Sequence, residues 1–558
     1  MLAALALALP ACGGAPATRP PERATLVLVG GEIVTNDPAR PRVRGLAVRG
    51  NRVMAVGDEA AVRALVGPET RVVELGGATV VPGLVDGHCH LYGLGASLEN
   101  VALRGLESEQ AAAALAARAA LERAPGEWLL GRGWDQNRWG GSFPTRASLD
   151  AALGERPAAL RRVDGHALWA NSAALRRAGV TRDTPDPPGG KIVRDAAGEP
   201  TGVLIDTAMD LVERHVPAPG PEVRERRIRR AAQVAIEVGL TGVHEMGVDD
   251  ETVAVYRRLA ASGELPLRVN AYLAGSPELA ARLGERELEP DDGDAYFAVV
   301  GMKLFADGAL GSRGAKLAAD YSDDPGNRGL WVIEPAALRE AVIAATGAGW
   351  QIATHAIGDA AVTATLDAYE AAAARQPGVD LRLRVEHAQV MTAADVERLA
   401  RLGVLASMQP THATSDMPWA EARLGPERVR GAYAWRSVLD AGGLIVAGSD
   451  FPVEETSPQL GLYAAVTRRD PAGSPAEGWY PAQRMTLDEA IYAFTAAPAE
   501  AGFVEDHRGR LVVGFVADVT VYDRALTPDR GLLDARVAMT VVGGEVVYER
   551  AGRAAGRD

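Results

Sequence analysis

The sequence predicts an α/β protein: a (β/α)8 TIM-like barrel carrying a small β-sandwich built from both chain ends and an inserted α+β subdomain after the first barrel strand. Three observations carry that expectation. Eight apolar, strand-like runs alternate with Ala-rich helical segments, the pattern of parallel βα units. Hairpin-like β runs stand at both ends of the chain. A stretch of different grammar, about 101–237, interrupts the series after its first run.

Taken in order, residues 1–24 come first. "MLAALALALPACGGAPATRPP" is an apolar stretch, a cysteine and a Pro-rich linker, which reads as an export signal. Leu9-Pro10-Ala11-Cys12 resembles the lipobox of bacterial lipoproteins, and that resemblance implies lipidation at Cys12. It also implies an exported, periplasmic or cell-surface protein held to a membrane by that lipid alone. An ordinary disordered tail is the other reading. Residues 25–81 and 505–550 are read as the β-sandwich. Gly30-Gly31 and Gly50-Asn51 supply hairpin-turn chemistry between β-branched runs, and "GFVADVTVYD" and "AMTVVGGEVVYER" repeat that grammar at the far end.

Residues 82–504 are read as the barrel. Its runs are "GLVDGHCH", "GLTGVHEMG", "PLRVNAYL", "AVVGMKLFADG", "WQIATHAIGD", "LRLRVEHAQ", "GVLASMQP" and "GLIVAGSDFP". Eight are enough to close a barrel. The insertion carries "SEQAAAALAARAALERA", a helix by composition, and Gly/Pro-rich turns.

Composition excludes some functions. The net charge of −14 argues against a nucleic-acid surface. No apolar run reaches the ~20 residues that span a bilayer. Of the two cysteines, Cys12 is assigned to a lipid and Cys89 to packing as a small hydrophobe, so no disulfide framework is expected.

The chemistry gathers at strand ends. Strand 1 carries His88 and His90, strand 4 Lys303, strand 5 His355, strand 6 His387 and strand 8 Asp450. Barrel active sites lie at the C-terminal face, where residues distant in sequence converge. Strand alternation gives Asp86, His88 and His90 one shared face. The chain has nine histidines, and four of them occupy such positions, too many for scattered placement. Imidazoles and carboxylates are good ligands for zinc-like ions, whereas a lysine ammonium has no free lone pair. Two ions about 3.5–4 Å apart need a bridging anion. Lys303 could instead be an unmodified lysine paired with Asp307 or Asp86, leaving one ion.

"VPGLVDGHCH", "MKLFADGALGSRGA", "ATHAIGD", "VEHAQ" and "GSDFP", with "DGHALWANS" in the insertion, resemble the metal-dependent amidohydrolase superfamily. Within it they are similar to the YtcJ-like, N-substituted formamide deformylase-like group (amidohydrolase family 3), and the likeness spans residues 25 to 550. The resemblance implies two divalent metal ions, zinc by preference, and an N-carboxylated Lys303 as their bridging carbamate. It gives His88 and His90 to one ion and His355 and His387 to the other, with Asp450 touching the first and shuttling protons. The activity implied is cleavage of a C–N bond in a small-molecule amide, linear and N-substituted or a formamide, by a metal-activated hydroxide. A homodimer is compatible with it.

Further candidates are substrate contacts. His166 in "VDGHALWANS" would reach substrate from a lid. Arg313, on the Gly-rich loop "GALGSRGA", could hold a substrate oxygen. Trp134, with Trp139 and Asp135 in "GRGWDQNRWGGS", could shape an apolar pocket wall. His244 at the end of strand 2 is either a site contact or a satisfied core histidine. Two rival functions differ in sequence. Mononuclear deaminases of the same superfamily resemble a pattern with a glutamate soon after the strand-5 histidine, where "HAIGDAAV" has only Asp359. A non-catalytic, ligand-binding surface lipoprotein should have lost ligands at random, and none is missing.

Overall fold

The computed structural model describes residues 22–124, 126–285 and 290–551. Cys12 and the leader lie outside the described residues.

Eight parallel strands form the central sheet: Leu84–Cys89, Leu240–Val248, Arg268–Ala274, Phe297–Phe305, Gln351–Ala356, Arg384–His387, Leu405–Met408 and Ile445–Ala447. They are strands 1 to 8 of the barrel in chain order, and each pairs with the next. Their near-continuous apolar runs follow from burial on both faces, inside the ring and under the helices. Strands 8 and 1 close the ring through backbone bonds at its C-terminal end. Asp450 N–H donates to His88 O and His90 N–H to Phe451 O, both at 2.8 Å. That approach needs a glycine at 87, because a Cβ there would lie 2.5 Å from Val446 Cγ1.

The helix Pro221–Glu237 packs on the barrel. Its Ile228, Ala231, Ala232, Ala235 and Ile236 share one core with Leu84, Leu240 and Val243. The inserted unit therefore stops short of 237. Its own apolar clusters run from Val101 to Val216. They surround a six-stranded mixed sheet in the order Gly190–Arg194, Pro200–Asp206, Ala167–Ala170, Ala158–Arg162, Leu129–Trp134, Val101–Ala102. The Ala-rich segment becomes the helix Glu109–Ala120, started by Ser108 Oγ, which accepts from Ala111 N–H.

Strands from both chain ends form one continuous eight-stranded sheet rather than two separate ones. Thr79–Pro82 joins them, pairing with Leu26–Val34 on one side and Val519–Tyr522 on the other. The halves face each other across a shared layer that includes Leu26, Leu46, Val519 and Val541. Thr79–Pro82 runs directly into barrel strand 1, so this sheet anchors the strand that carries the first two histidines.

Candidate active site

At the C-terminal mouth of the barrel, imidazoles converge on Asp450. His88 Nδ1–H donates to Glu386 Oε2 at 2.5 Å, His90 Nδ1–H to Met246 O at 2.9 Å and His387 Nδ1–H to Gln409 Oε1 at 2.8 Å. Each partner is an acceptor, so each ring carries its proton on Nδ1 and keeps a lone pair on Nε2. His90 Nε2 stands 3.1 Å and His88 Nε2 3.6 Å from Asp450 Oδ1, and His412 Nε2 stands 3.7 Å from Oδ2. His387 and Asp450 both hold left-handed backbone, at φ 73 and φ 59. Such strain costs a non-glycine residue on the order of 1 kcal/mol and turns these two side chains where regular strand geometry would not.

The donor set fits metal ions. His88, His90 and Asp450 place ligand atoms within 4.8 Å of one another, and so do His387, His412 and Asp450. His412 Nδ1 accepts from Gln389 Nε2–H at 3.3 Å, so that its ring proton sits on Nε2, on the side of Asp450. His88 Nε2 and Asp450 Oδ1, by contrast, are buried without a hydrogen-bond partner. Burying such polar atoms unpaired is costly, which is the expected signature of atoms that complete their valence on an ion. Burial, with the Lys303 charge second, pushes His88 down to about 4, and burial holds His355 and His387 well below the ordinary value. Neutral imidazoles are what a cation needs. Burial alone would raise Asp450, but the imidazoles of His88, His90 and His412 gathered around it outweigh that, so the carboxyl sits well below its usual range.

The other two expected histidines, His355 and His387, also meet at this mouth and line both cavities that open there. His355 stands beside His387, with ring centroids 4.6 Å apart, but its Nε2 turns toward Gly308 O at 3.3 Å. His412 also stands near His387, with ring centroids 5.9 Å apart. It enters from the helix Pro410–Arg428 that follows strand 7.

Lys303 is buried at the end of strand 4, its Nζ 5.0 Å from the centre of the Phe305 ring. Burial pushes its pKa down to about 8. Neither carboxylate considered as its partner is available. Asp307 accepts from the N–H groups of Lys316, Gly358 and Ile357, and Asp86 accepts from the N–H groups of Ser449 and His88 and from Ser449 Oγ.

Two cavities meet at this cluster. One, of 480 Å³, adds Trp419, Tyr463 and Leu460 to His166, His355, His387, His412 and Asp450. The other, of 850 Å³, takes in His88, His90, Lys303 and Arg132 and shares His166, His355, His387 and Asp450 with the first.

The insertion delivers His166 to the site. Its Nδ1–H donates to Asp206 Oδ1 at 2.6 Å and its ring lies 4.9 Å from that of His355. Three other candidates lie elsewhere. Trp134 is fully buried in the insertion's core, where its Nε1–H donates to Leu160 O and its ring stacks with Trp139, so it forms no cavity wall. Arg313 is paired with Asp323 at 3.0 Å, its donors engaged away from both cavities. His244 accepts from Arg384 Nη1–H at 2.7 Å inside the barrel and lines neither cavity.

Sequence reasoning missed the support beneath the cluster. Arg384 and Glu386, two apart on strand 6, share one face and point into the barrel. Arg384 Nε–H donates to Glu386 Oε1 at 2.7 Å, and Glu386 holds His88. A carboxylate on the far nitrogen fixes a ligating ring's tautomer and raises its basicity. Two charged residues at period two in a strand otherwise fully buried were the available signal.

A model of the Amidohydrolase family matches residues 71–548. The protein YtcJ of Bacillus subtilis (strain 168) is 35% identical over 495 residues, covering 87% of this chain and 91% of YtcJ. N-substituted formamide deformylase of Arthrobacter pascens is 30% identical over 552 residues, covering 94% of this chain and 99% of the deformylase. The crystal structure of an uncharacterized metal-dependent hydrolase from Pyrococcus horikoshii OT3 superposes with a TM-score of 0.72 at 29% identity, covering 89% of this chain and 97% of that one. A histidine and carboxylate cluster with unsatisfied ligand atoms, at the mouth of a parallel barrel that matches the family along most of its length, leads to one assignment: the chain belongs to the Amidohydrolase family and is a metal-dependent hydrolase.

Proposed function

We propose that this protein hydrolyses the C–N bond of a small linear amide, N-substituted or a formamide. The observation that carries this is Asp450, one carboxylate shared between two histidine donor groups at the meeting point of two cavities. The 30% identity to a formamide deformylase over nearly its whole length supports the choice of bond.

His88, His90 and Asp450 would hold one divalent ion, and His355 and His387 a second. Zinc suits nitrogen-rich donors of this kind. Bound there, the ions supply Lewis-acid polarisation of the carbonyl and acidify a water. We further propose that Lys303 carries a carbamate. Its neutral amine adds to CO₂ and loses a proton, replacing a cation with an anion between the donor groups. Its burial and lack of a carboxylate partner support that conversion.

The chain's own residues then move the proton. Water's oxygen adds to the carbonyl carbon, and Asp450 takes the proton released. The carboxyl returns it to the nitrogen as the C–N bond breaks, giving a carboxylic acid and an amine. His166, backed by Asp206, faces the substrate from the insertion.

Elemental analysis of protein purified without chelator, with a screen of N-alkylformamides and N-acetylamines, tests this. Two divalent ions per chain and release of amine are expected. An active protein free of metal, or a metal-loaded protein that cleaves no amide, would overturn the proposal.

A further inference from the structure

Arg132 sits on the insertion strand Leu129–Trp134 and opens on the 850 Å³ cavity that holds the ligand cluster. The other charged side chains there are largely committed. Arg161 is bidentate to Glu213 at 2.6 and 2.5 Å. Asp164 accepts from Arg162 and the His166 N–H, Asp206 from His166, Glu245 from the Leu91 and Tyr92 N–H groups, and Asp249 from Arg224. Arg132 has no such partner. Its Nη2–H reaches only the Val163 carbonyl at 3.2 Å, its Nε is buried without a hydrogen bond, and it makes no ion pair among the described residues. A guanidinium offers five donors in a planar fork that matches a carboxylate, and leaving them idle away from water is unfavourable.

Its position ties it to the reaction. The turn Asp164-Gly165-His166 lies on the guanidinium, and a Cβ at Gly165 would stand 3.2 Å from Arg132 Nη2. The same turn presents His166 to His355. An anion at Arg132 would therefore share one cavity with the histidine cluster and lie beside His166.

We propose that Arg132 is a carboxylate-binding residue of the substrate site, and that the substrate is an amide bearing a carboxylate: an N-acylated amino acid or the monoamide of a dicarboxylic acid. The proposal rests on the amide-hydrolase reading and narrows it. The ligand cluster acts on the amide while Arg132 holds the anionic end, so the distance between them sets the chain length accepted.

The test compares N-formyl amino acids of one to four methylenes, and N-methyl monoamides of dicarboxylic acids, each with its methyl ester. Metal-loaded wild-type protein should favour acids over esters at one chain length. Arg132→Gln should lower the acid-to-ester ratio of kcat/KM by about 10-fold to 10²-fold, mainly through KM, the loss expected for one charged hydrogen-bonded contact. Arg132→Lys should recover part of it as a point charge. Equal loss on acid and ester would show that Arg132 only supports the Asp164–His166 turn and would overturn the proposal, as would a wild-type protein indifferent to the ester. If nothing is cleaved, thermal shifts with the same acids separate the two ideas. Stabilisation by acids alone, absent in Arg132→Gln, supports the carboxylate site without the hydrolase; no stabilisation sinks it.

Discussion

Replacing Glu386 by Gln should loosen the site without touching a ligand atom. Glu386 is fully buried and its two oxygens serve Arg384 Nε at 2.7 Å, Arg384 Nη2 at 3.1 Å and His88 Nδ1 at 2.5 Å. An amide has one acceptor oxygen. If that oxygen faces His88, the amide N–H₂ confronts an Arg384 donor. If it faces Arg384, the N–H₂ donates to His88 Nδ1, which drives the ring proton to Nε2 and blocks the lone pair meant for the ion. Either arrangement damages metal binding, and loss of such an outer partner typically costs about 10–100-fold in affinity. Arg384 keeps only neutral acceptors in Gly87 O, Ser407 Oγ, His244 Nδ1 and Tyr272 OH. A buried charge deprived of its counter-charge costs about 3–5 kcal/mol. Those four bonds place the expected loss near the lower end. In the wild type, burial would raise Glu386, but Arg384 and His88 outweigh it and hold the carboxyl well below its usual range. A depressed carboxylate stabilises fully above the unfolded value near ~4.3 and loses that contribution as pH falls toward the folded one. Glu386→Gln should therefore shrink the stability gap to wild type only in strong acid. Chelator competition measures affinity, and urea unfolding of the metal-free protein at neutral pH measures stability. Wild-type values in both would refute the relay from Arg384 through Glu386 to His88.

Two further outcomes concern the proposed chemistry. Lys303→Ala should lose bound ions and activity together, with partial recovery in small carboxylates and none in Lys303→Arg, whose guanidinium stays cationic; retained metal and turnover in Lys303→Ala would remove the carbamate from the mechanism. Asp450→Asn keeps an oxygen toward His88 and His90 but carries no proton, so kcat should fall about 10²–10⁴-fold with KM little changed. Near wild-type turnover would move proton transfer elsewhere, and His412, 3.7 Å from Asp450 Oδ2, is the neighbour to test next.

The barrel was legible because its strands are buried on both faces, which forces continuous apolar runs such as "AVVGMKLF" between helices. The strand-end histidines were legible for the same reason: polar residues stand out where such runs stop. What escaped depends on contacts that no local pattern encodes. Glu386 meets His88 across 298 residues, and nothing in "VEHAQ" alone says which of its polar groups faces a ligand. His412 lies on a helix, outside the strand ends, so no strand pattern points to its place beside Asp450. The likeness of helix Pro221–Glu237 to insertion helices hid its barrel packing, since an amphipathic face does not name its partner. Trp134 shows the same limit from the other side. An aromatic cluster beside a Gly-rich turn fits a pocket wall or a small core equally well, and here it fills the core.

The division of residues between barrel and insertion argues for two separable properties. Every group that touches Asp450 comes from the barrel: His88, His90 and His412. Arg132, Asp164 and His166 come from the insertion, which has its own sheet and its own apolar clusters. A substitution in the insertion can therefore reshape the chamber without moving a ligand atom, because rigid strands hold the cluster from below. His166 lies against the cluster, its ring 4.9 Å from that of His355, and Asp206 fixes that ring from within the insertion. Binding of an anionic substrate at Arg132 acts on the same turn that carries His166. If Arg132 binds the substrate carboxylate as proposed, an Arg132 variant and a His166 variant should affect the same turn, while the histidine cluster below it keeps its place.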